Sequence, residues 1–218
     1  MYLSRVKIDE DDRRKIKDLS HLGAYHNWVE QSFPQEVKNG IRNRHLWRID
    51  QLSGQKYLLV VSANQPDLNL LNKYGVDGCA QTTSYDQFLD QLSVGNRYRF
   101  RLTANPSYKI KVPGKDQGKV VPHITVEQQQ QWLIDRQQQY GFEIFKDALG
   151  NFEFDVVQRD WPILYHGRRI KLSRVSFEGI LQITDVKRFK QALTEGIGRE
   201  KSYGMGLMTV IPMKADNK

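Results

Sequence analysis

RYRFRLTA (97–104) alternates basic and apolar residues along its whole length. Successive side chains on a strand point to opposite faces. The pattern therefore predicts a half-buried strand with Arg97, Arg99 and Arg101 on one side. Reading back from it, TSYDQFLDQL (83–92) predicts a helix with Phe88, Leu89 and Leu92 as its apolar face and Thr83 or Ser84 as cap. Two strands precede that helix, RNRHLWRI (42–49) and KYLLVVSA (56–63), separated by the turn-forming DQLSGQ. Earlier still, HLGAYHNWVEQSFP spaces Tyr25, Trp28, Val29 and Phe33 at near-helical intervals. Gly23 is expected as a break before this helix and Pro34 as its stop. MYLSRVKI opens the chain as an alternating strand. The order strand, helix, strand, strand, helix, strand is the split βαβ pattern of a ferredoxin-like domain.

Forward of 104 the character changes. Residues 105–125 hold three prolines and a glycine-containing centre without a clear period, which predicts a linker or long loop. EQQQQWLIDRQQQYGF then predicts a glutamine-rich helix with Trp132, Leu133, Arg136 and Tyr140 in register and Gly141 as its end. Strands are expected at 152–158 and within 161–183, the latter turning near His166-Gly167. Thr184 or Asp185 caps a further helix, with Val186, Phe189, Ala192 and Leu193 on its apolar face. GLMTVIP (206–212) reads as a final strand, whereas the first strand of this half carries no clear signal. The expected fold is α+β: two tandem ferredoxin-like (RRM-like) βαββαβ domains over 1–104 and 126–218, joined through 105–125.

The composition fits such a chain. Its 218 residues are 39% hydrophobic and 11% aromatic, enough for a core and against a disordered chain. One cysteine, Cys79, excludes a disulfide scaffold and a Cys-x-x-Cys zinc site. No apolar run approaches a bilayer span, and the N-terminus lacks the apolar core of a signal peptide, so a soluble cytoplasmic protein is expected. The 33 Lys and Arg exceed the 25 Asp and Glu by 8, which suggests an anionic partner. Residues 156–201 hold ten of these cations against five acids, a net of +5.

Three stretches could carry chemistry. Arg168, Arg169, Lys171 and Arg174 cluster on one expected hairpin, and Arg169 and Lys171 share a strand face. Such a ribbon can approach the phosphates of a nucleic acid, or be a solvated face. The loop GIGREKSYGMG (196–206) follows a helix and precedes a strand, the reverse of a dinucleotide fingerprint, and it lacks the Gly-Lys-Ser/Thr of a Walker A loop. Gly198, Gly204 and the neighbouring Arg199, Lys201 and Ser202 can either approach phosphate oxygens or simply make a tight connection. Of five histidines none forms HExxH or a metal cluster. His26, beside Tyr25, can titrate near neutral pH and move protons, or be structural.

Together these parts resemble the CasE-type CRISPR repeat endoribonucleases. The resemblance spans nearly the whole chain, anchored on MYLSRV, His26 to Phe33-Pro34, RLTANP (101–106), FEG (177–179) and GIGREKSYGMGL (196–207). It implies tandem ferredoxin-like domains and binding of a CRISPR repeat stem-loop. It also implies one metal-free cut at the 3′ base of the stem, by 2′-hydroxyl attack, leaving a 2′,3′-cyclic phosphate and a 5′-hydroxyl. No cofactor is implied, and the product is expected to stay bound and enter the Cascade complex. The family's catalytic His lies seven residues before a Phe-Pro pair, the position of His26. Gly23 stands where the family often has a Tyr, and Tyr25 is the expected replacement. Lys171, six residues before the Phe of FEG, matches a basic hairpin position. Arg168, Arg169, Arg174, Arg199, Lys201, Ser202, Gly198 and Gly204 are then the expected RNA contacts. A non-catalytic RNA-binding scaffold would use the same hairpin and loop but would need neither His26 nor Tyr25.

Overall fold

The computed structural model describes residues 1–114, 118–166 and 168–213. Its first half runs β1 (Tyr2–Lys7), α1 (Arg13–Ile16), α2 (Leu22–Gln31), α3 (Pro34–Lys38), β2 (Leu46–Leu52), β3 (Gln55–Ser62), α4 (Leu68–Leu71), β4 (Gln81–Ser84) and α5 (Asp86–Leu89). The four strands form one antiparallel sheet in the order β2-β3-β1-β4, the ferredoxin-like order. Three local expectations change. Pro34 starts α3 rather than stopping α2, because an N1 position needs no N–H donor. Gly23 lies inside α2. The helix expected over 83–92 gives way to β4, because β1 takes an outer partner there through Ser4 Oγ, which donates to Thr82 Oγ1 at 2.9 Å. Only Asp86–Leu89 remains helical.

The second half continues with β5 (Arg97–Ala104), β6 (Ser107–Ile110), β7 (Lys119–Pro122), α6 (Val126–Ile134), β8 (Phe142–Ile144), β9 (Phe154–Asp160), β10 (Ile163–His166), β11 (Arg168–Lys171), β12 (Arg174–Ile183), α7 (Val186–Glu195) and β13 (Met208–Pro212). The 97–104 strand alternates as its sequence predicts, with Tyr98, Phe100, Leu102 and Ala104 buried. Its partners are not the expected ones. It lies between β12 and β13 in a second sheet, order β13-β5-β12-β8, with β9 also on β12. It is therefore the missing first strand of the second ferredoxin-like unit, and the two sheets divide the chain before 97 rather than at 104. Residues 105–125 are not a plain linker either, since β6 and β7 pair as a hairpin. A capping box between Thr125 and Gln128 starts α6, Asp185 caps α7, and Gly141 turns in the left-handed region at φ 74°.

The two halves share a core. Leu46, Val61, Tyr85 and Leu89 of the first pack with Phe100, Trp132, Phe177 and Phe189 of the second. Arg48 of β2 is fully buried and joins the sheets. It pairs bidentately with Asp50 at 2.7 and 2.6 Å, and donates to the carbonyls of Arg101 and Leu207 at 2.8 and 3.0 Å. Every donor that a buried guanidinium leaves unpaired is costly, which accounts for this dense partnering.

Candidate active site

Helix α2 is anchored on one side. Trp28 and Val29 are buried in the second core cluster, and Trp28 Nε1 donates to the Leu71 carbonyl at 3.1 Å. This leaves the His26 side chain 35% exposed on the opposite flank. There the His26 imidazole meets the Tyr203 ring edge-on, with centroids 5.9 Å apart at 68°. Its Nδ1 is buried without a hydrogen-bond partner and lies 3.9 Å from Glu30 Oε1, one helical turn on. Glu30 Oε1 accepts at 2.9 Å from Nδ1 of His45, a buried ring stacked on Phe33 at 3.8 Å. His45 Nε2 lies 3.3 Å from Glu36 Oε2. Burial lowers the His26 pKa, the Glu30 charge opposes that, and His45 adds to it, with a net fall below the ordinary histidine value. His26, Glu30, Glu36, Arg42 and His45 line a cavity of about 390 Å³.

Tyr25 lies elsewhere. Its ring stacks on Trp47 at 5.9 Å and also meets Trp28, and burial pushes its phenol up. The tyrosine against His26 is Tyr203, which the sequence reading did not single out.

The basic hairpin forms as expected from β10 and β11, paired Tyr165↔Arg169 and Ile163↔Lys171, while Gly167 at its turn lies outside the described residues. It docks on α2: Leu164, Ile170 and Leu172 join the second core cluster, and Tyr165 meets the His21 ring edge-on at 5.3 Å. Arg169 and Lys171 are exposed. The Arg168 side chain lies outside the described residues. Arg174 is held bidentately by Asp160 at 2.9 and 2.5 Å, at the base of the hairpin.

The glycine-rich loop packs between α2 and β2. Trp47 Nε1 donates to the Ser202 carbonyl at 3.1 Å, and Gly204 sits against the Trp47 ring. Several of the loop amides are taken up inside the protein. Gly198 N donates to Tyr140 Oη at 3.3 Å, and Gly206 N to the Thr103 carbonyl at 2.6 Å. Its outward chemistry is in side chains: Arg199 and Ser202 are exposed, and Lys201 is half-buried. Burial lowers the Lys201 pKa, as does the nearby Arg44, against the charge of Glu195. The structure thus brings His26, the hairpin and the loop's Tyr203 to one helix. Glu30 and His45 were not foreseen as part of this site. The i,i+4 spacing of His26 and Glu30 is a local signal that could have shown the first. His45 arrives from the segment that leads into β2. Among the described residues no cluster of His, Cys, Asp or Glu is arranged to hold a metal ion. No helix among them is long and apolar enough to cross a membrane.

Comparison with known proteins agrees with this layout. A CRISPR-associated endoribonuclease Cse3 of Thermus thermophilus is 28% identical over 97% of this chain and all of its own length. The Cascade subunit CasE of Escherichia coli is 30% identical over 98% of this chain and all of its own. Thermus thermophilus Cse3 bound to an RNA representing a pre-cleavage complex superposes with a TM-score of 0.80 at 26% identity, covering 97% of this chain and 98% of that one. The model of the family described as CRISPR associated protein matches residues 1–212. With a match of that extent and relatives that align end to end, the chain belongs to this CRISPR-associated family and is of its CasE type.

Proposed function

We propose that the chain is an endoribonuclease that binds the stem-loop of a CRISPR repeat RNA and cuts once at the 3′ base of the stem. The observation that carries this reading is the placing of His26. It is an accessible imidazole without a hydrogen-bond partner at Nδ1, set between Tyr203 and Glu30 on the helix that holds the basic hairpin. The names of the relatives, an endoribonuclease and its RNA-bound form, support it.

The nucleophile is in the substrate, so the protein's task is alignment and proton transfer rather than metal activation. His26, whose proton affinity burial reduces, takes the proton of the 2′-hydroxyl as that oxygen bonds to the adjacent phosphorus. The bond to the 5′-oxygen breaks, and the imidazolium returns the proton to that leaving oxygen. The products are a 2′,3′-cyclic phosphate and a 5′-hydroxyl. Lys171 offsets the charge that builds on the phosphorane. Arg168, Arg169, Arg199, Lys201 and Ser202 grip phosphates, as suits an A-form stem read by shape. Arg174 braces the hairpin through Asp160, and Gly198 and Gly204 shape the loop. Tyr25 contributes by packing α2 against Trp47. The cleaved RNA stays bound, and protein and RNA join Cascade, the complex named for the Escherichia coli relative.

The test is cleavage of a cognate repeat hairpin in EDTA, with mass analysis of the ends. We expect one cut with a cyclic phosphate, blocked by a 2′-deoxy residue at the cut. His26→Ala should lose about 10²- to 10⁴-fold in rate while keeping RNA affinity. Tight binding without any cut by the wild type would favour the scaffold reading instead.

A further inference from the structure

We propose that Glu30 is a positioning residue for His26, and that His45 holds Glu30 in place for that task. This rests on His26 being the proton-transfer group. The buried Nδ1 of His26 has no hydrogen-bond partner, and the carboxylate oxygen Glu30 Oε1 stands 3.9 Å from it on the same face of α2. A side-chain adjustment of about 1 Å makes that gap a hydrogen bond, and such bonds commonly tighten only when substrate arrives. With Nδ1–H given to Glu30, the imidazole is fixed in the tautomer that offers Nε2 as the base.

Glu30 is itself fixed. His45 is 2% exposed in its side chain, stacks on Phe33 at 3.8 Å and 7°, and holds Glu30 Oε1 at 2.9 Å. Its other nitrogen faces Glu36, which is buried and bonded by Asn43 and Asn64. A buried histidine between two carboxylates is an expensive arrangement for a structural corner alone, since each charge there gives up hydration. As a fixture that aims a carboxylate at the proton-transfer imidazole it has a purpose. The other groups near His26 do not do this work. Tyr203 meets His26 through ring packing, Arg42 lines the cavity but cannot accept a proton, and Tyr165 of β10 packs on His21.

The experiment is a pair of titrations on the full-length protein. NMR follows the His26 ring protons against pH, and single-turnover cleavage of the repeat hairpin is measured over the same range. Glu30→Gln keeps the shape and removes the charge. It should lower the His26 midpoint by about 0.5–1 unit and move the acid limb of cleavage the same way. The plateau rate should drop several-fold. Glu30→Asp, which keeps the charge, should restore part of both. A Glu30→Gln protein whose midpoint and limb stay within about 0.2 unit of wild type overturns the proposal, His26→Ala remaining inactive. Full activity of His26→Ala would instead remove the reading it rests on, whatever the NMR titration shows.

Discussion

The Tyr203 ring meets the His26 imidazole edge-on, with centroids 5.9 Å apart, and so ties the glycine-rich loop to the helix of the first sheet's unit. An edge-to-face pair of this kind contributes about 0.5–1.5 kcal/mol through geometry alone. The ring, rather than the hydroxyl, is then what packs on His26. Tyr203→Phe should cleave within about twofold of wild type, and Tyr203→Ala about 2- to 12-fold more slowly, in single-turnover assays. Equal losses in both variants would assign the effect to the hydroxyl.

Arg48 ties the first sheet to the second, because it sits on β2 yet bonds carbonyls of the second half. Arg48→Met removes the cation and leaves Asp50 buried without its bidentate partner. A loss of about 3–5 kcal/mol is expected in chemical denaturation. A loss under about 1 kcal/mol would mean that water replaces the guanidinium at little cost.

Acid should weaken the corner beneath His26. Burial by itself would push the Glu36 carboxyl up, but hydrogen bonds from Asn43 and Asn64 and the His45 charge outweigh it, leaving it below its ordinary 4.5. A carboxyl depressed in the folded state adds stability that is present above its unfolded value and lost as pH falls through the folded one. The melting temperature of wild type should therefore fall below about pH 4.5, and Glu36→Gln should start lower and fall less. Parallel curves for the two proteins would contradict this.

What the sequence shows of this molecule is its local part. The period of 97–104 holds from Arg97 to Leu102 and lapses only at Thr103, which is buried, yet a strand's own alternation does not say which sheet it joins. The partners of β5 come from residues 71 to 114 positions later. β4 has only four residues, too few to show a period, and its Thr83 and Ser84 equally suit a helix cap. His26 and Glu30 lie one turn apart on one helix, a local spacing that points to Glu30 although only His26 is singled out by the sequence reading. His45 and Tyr203 reach the same spot only through the fold, and the burial that lowers the His26 pKa exists only there.

The hairpin cations should separate by role. Arg169 and Lys171 are exposed on β11, whereas Arg174 is engaged with Asp160. Each phosphate contact releases counterions, so Arg169→Ala and Lys171→Ala should each reduce the slope of log Kd against log salt by about 0.7–1. Arg174→Ala should instead lower the melting temperature, with a smaller change in slope, because it strips Asp160 of its partner. A full-unit slope change from Arg174→Ala would place its guanidinium on the RNA.

Gly204 is where the loop has least freedom. Its φ is +76°, in the left-handed region, where a Cβ costs about 1–2 kcal/mol. That Cβ would also lie 2.6 Å from Trp47 Cζ3, and Trp47 is fully buried and pinned through its bond to the Ser202 carbonyl. The ring cannot yield, so the loop must, and Tyr203 sits one residue away. Gly204→Ala should cost about 2–4 kcal/mol in denaturation and slow cleavage at temperatures where the protein is still folded. Gly95 is the control. It too has positive φ, at 86°, but nothing lies within 4 Å of its Cβ position, so Gly95→Ala carries only the backbone cost and leaves cleavage unchanged. If the two variants lose the same stability and activity, the contact with Trp47 is not what sets the loop.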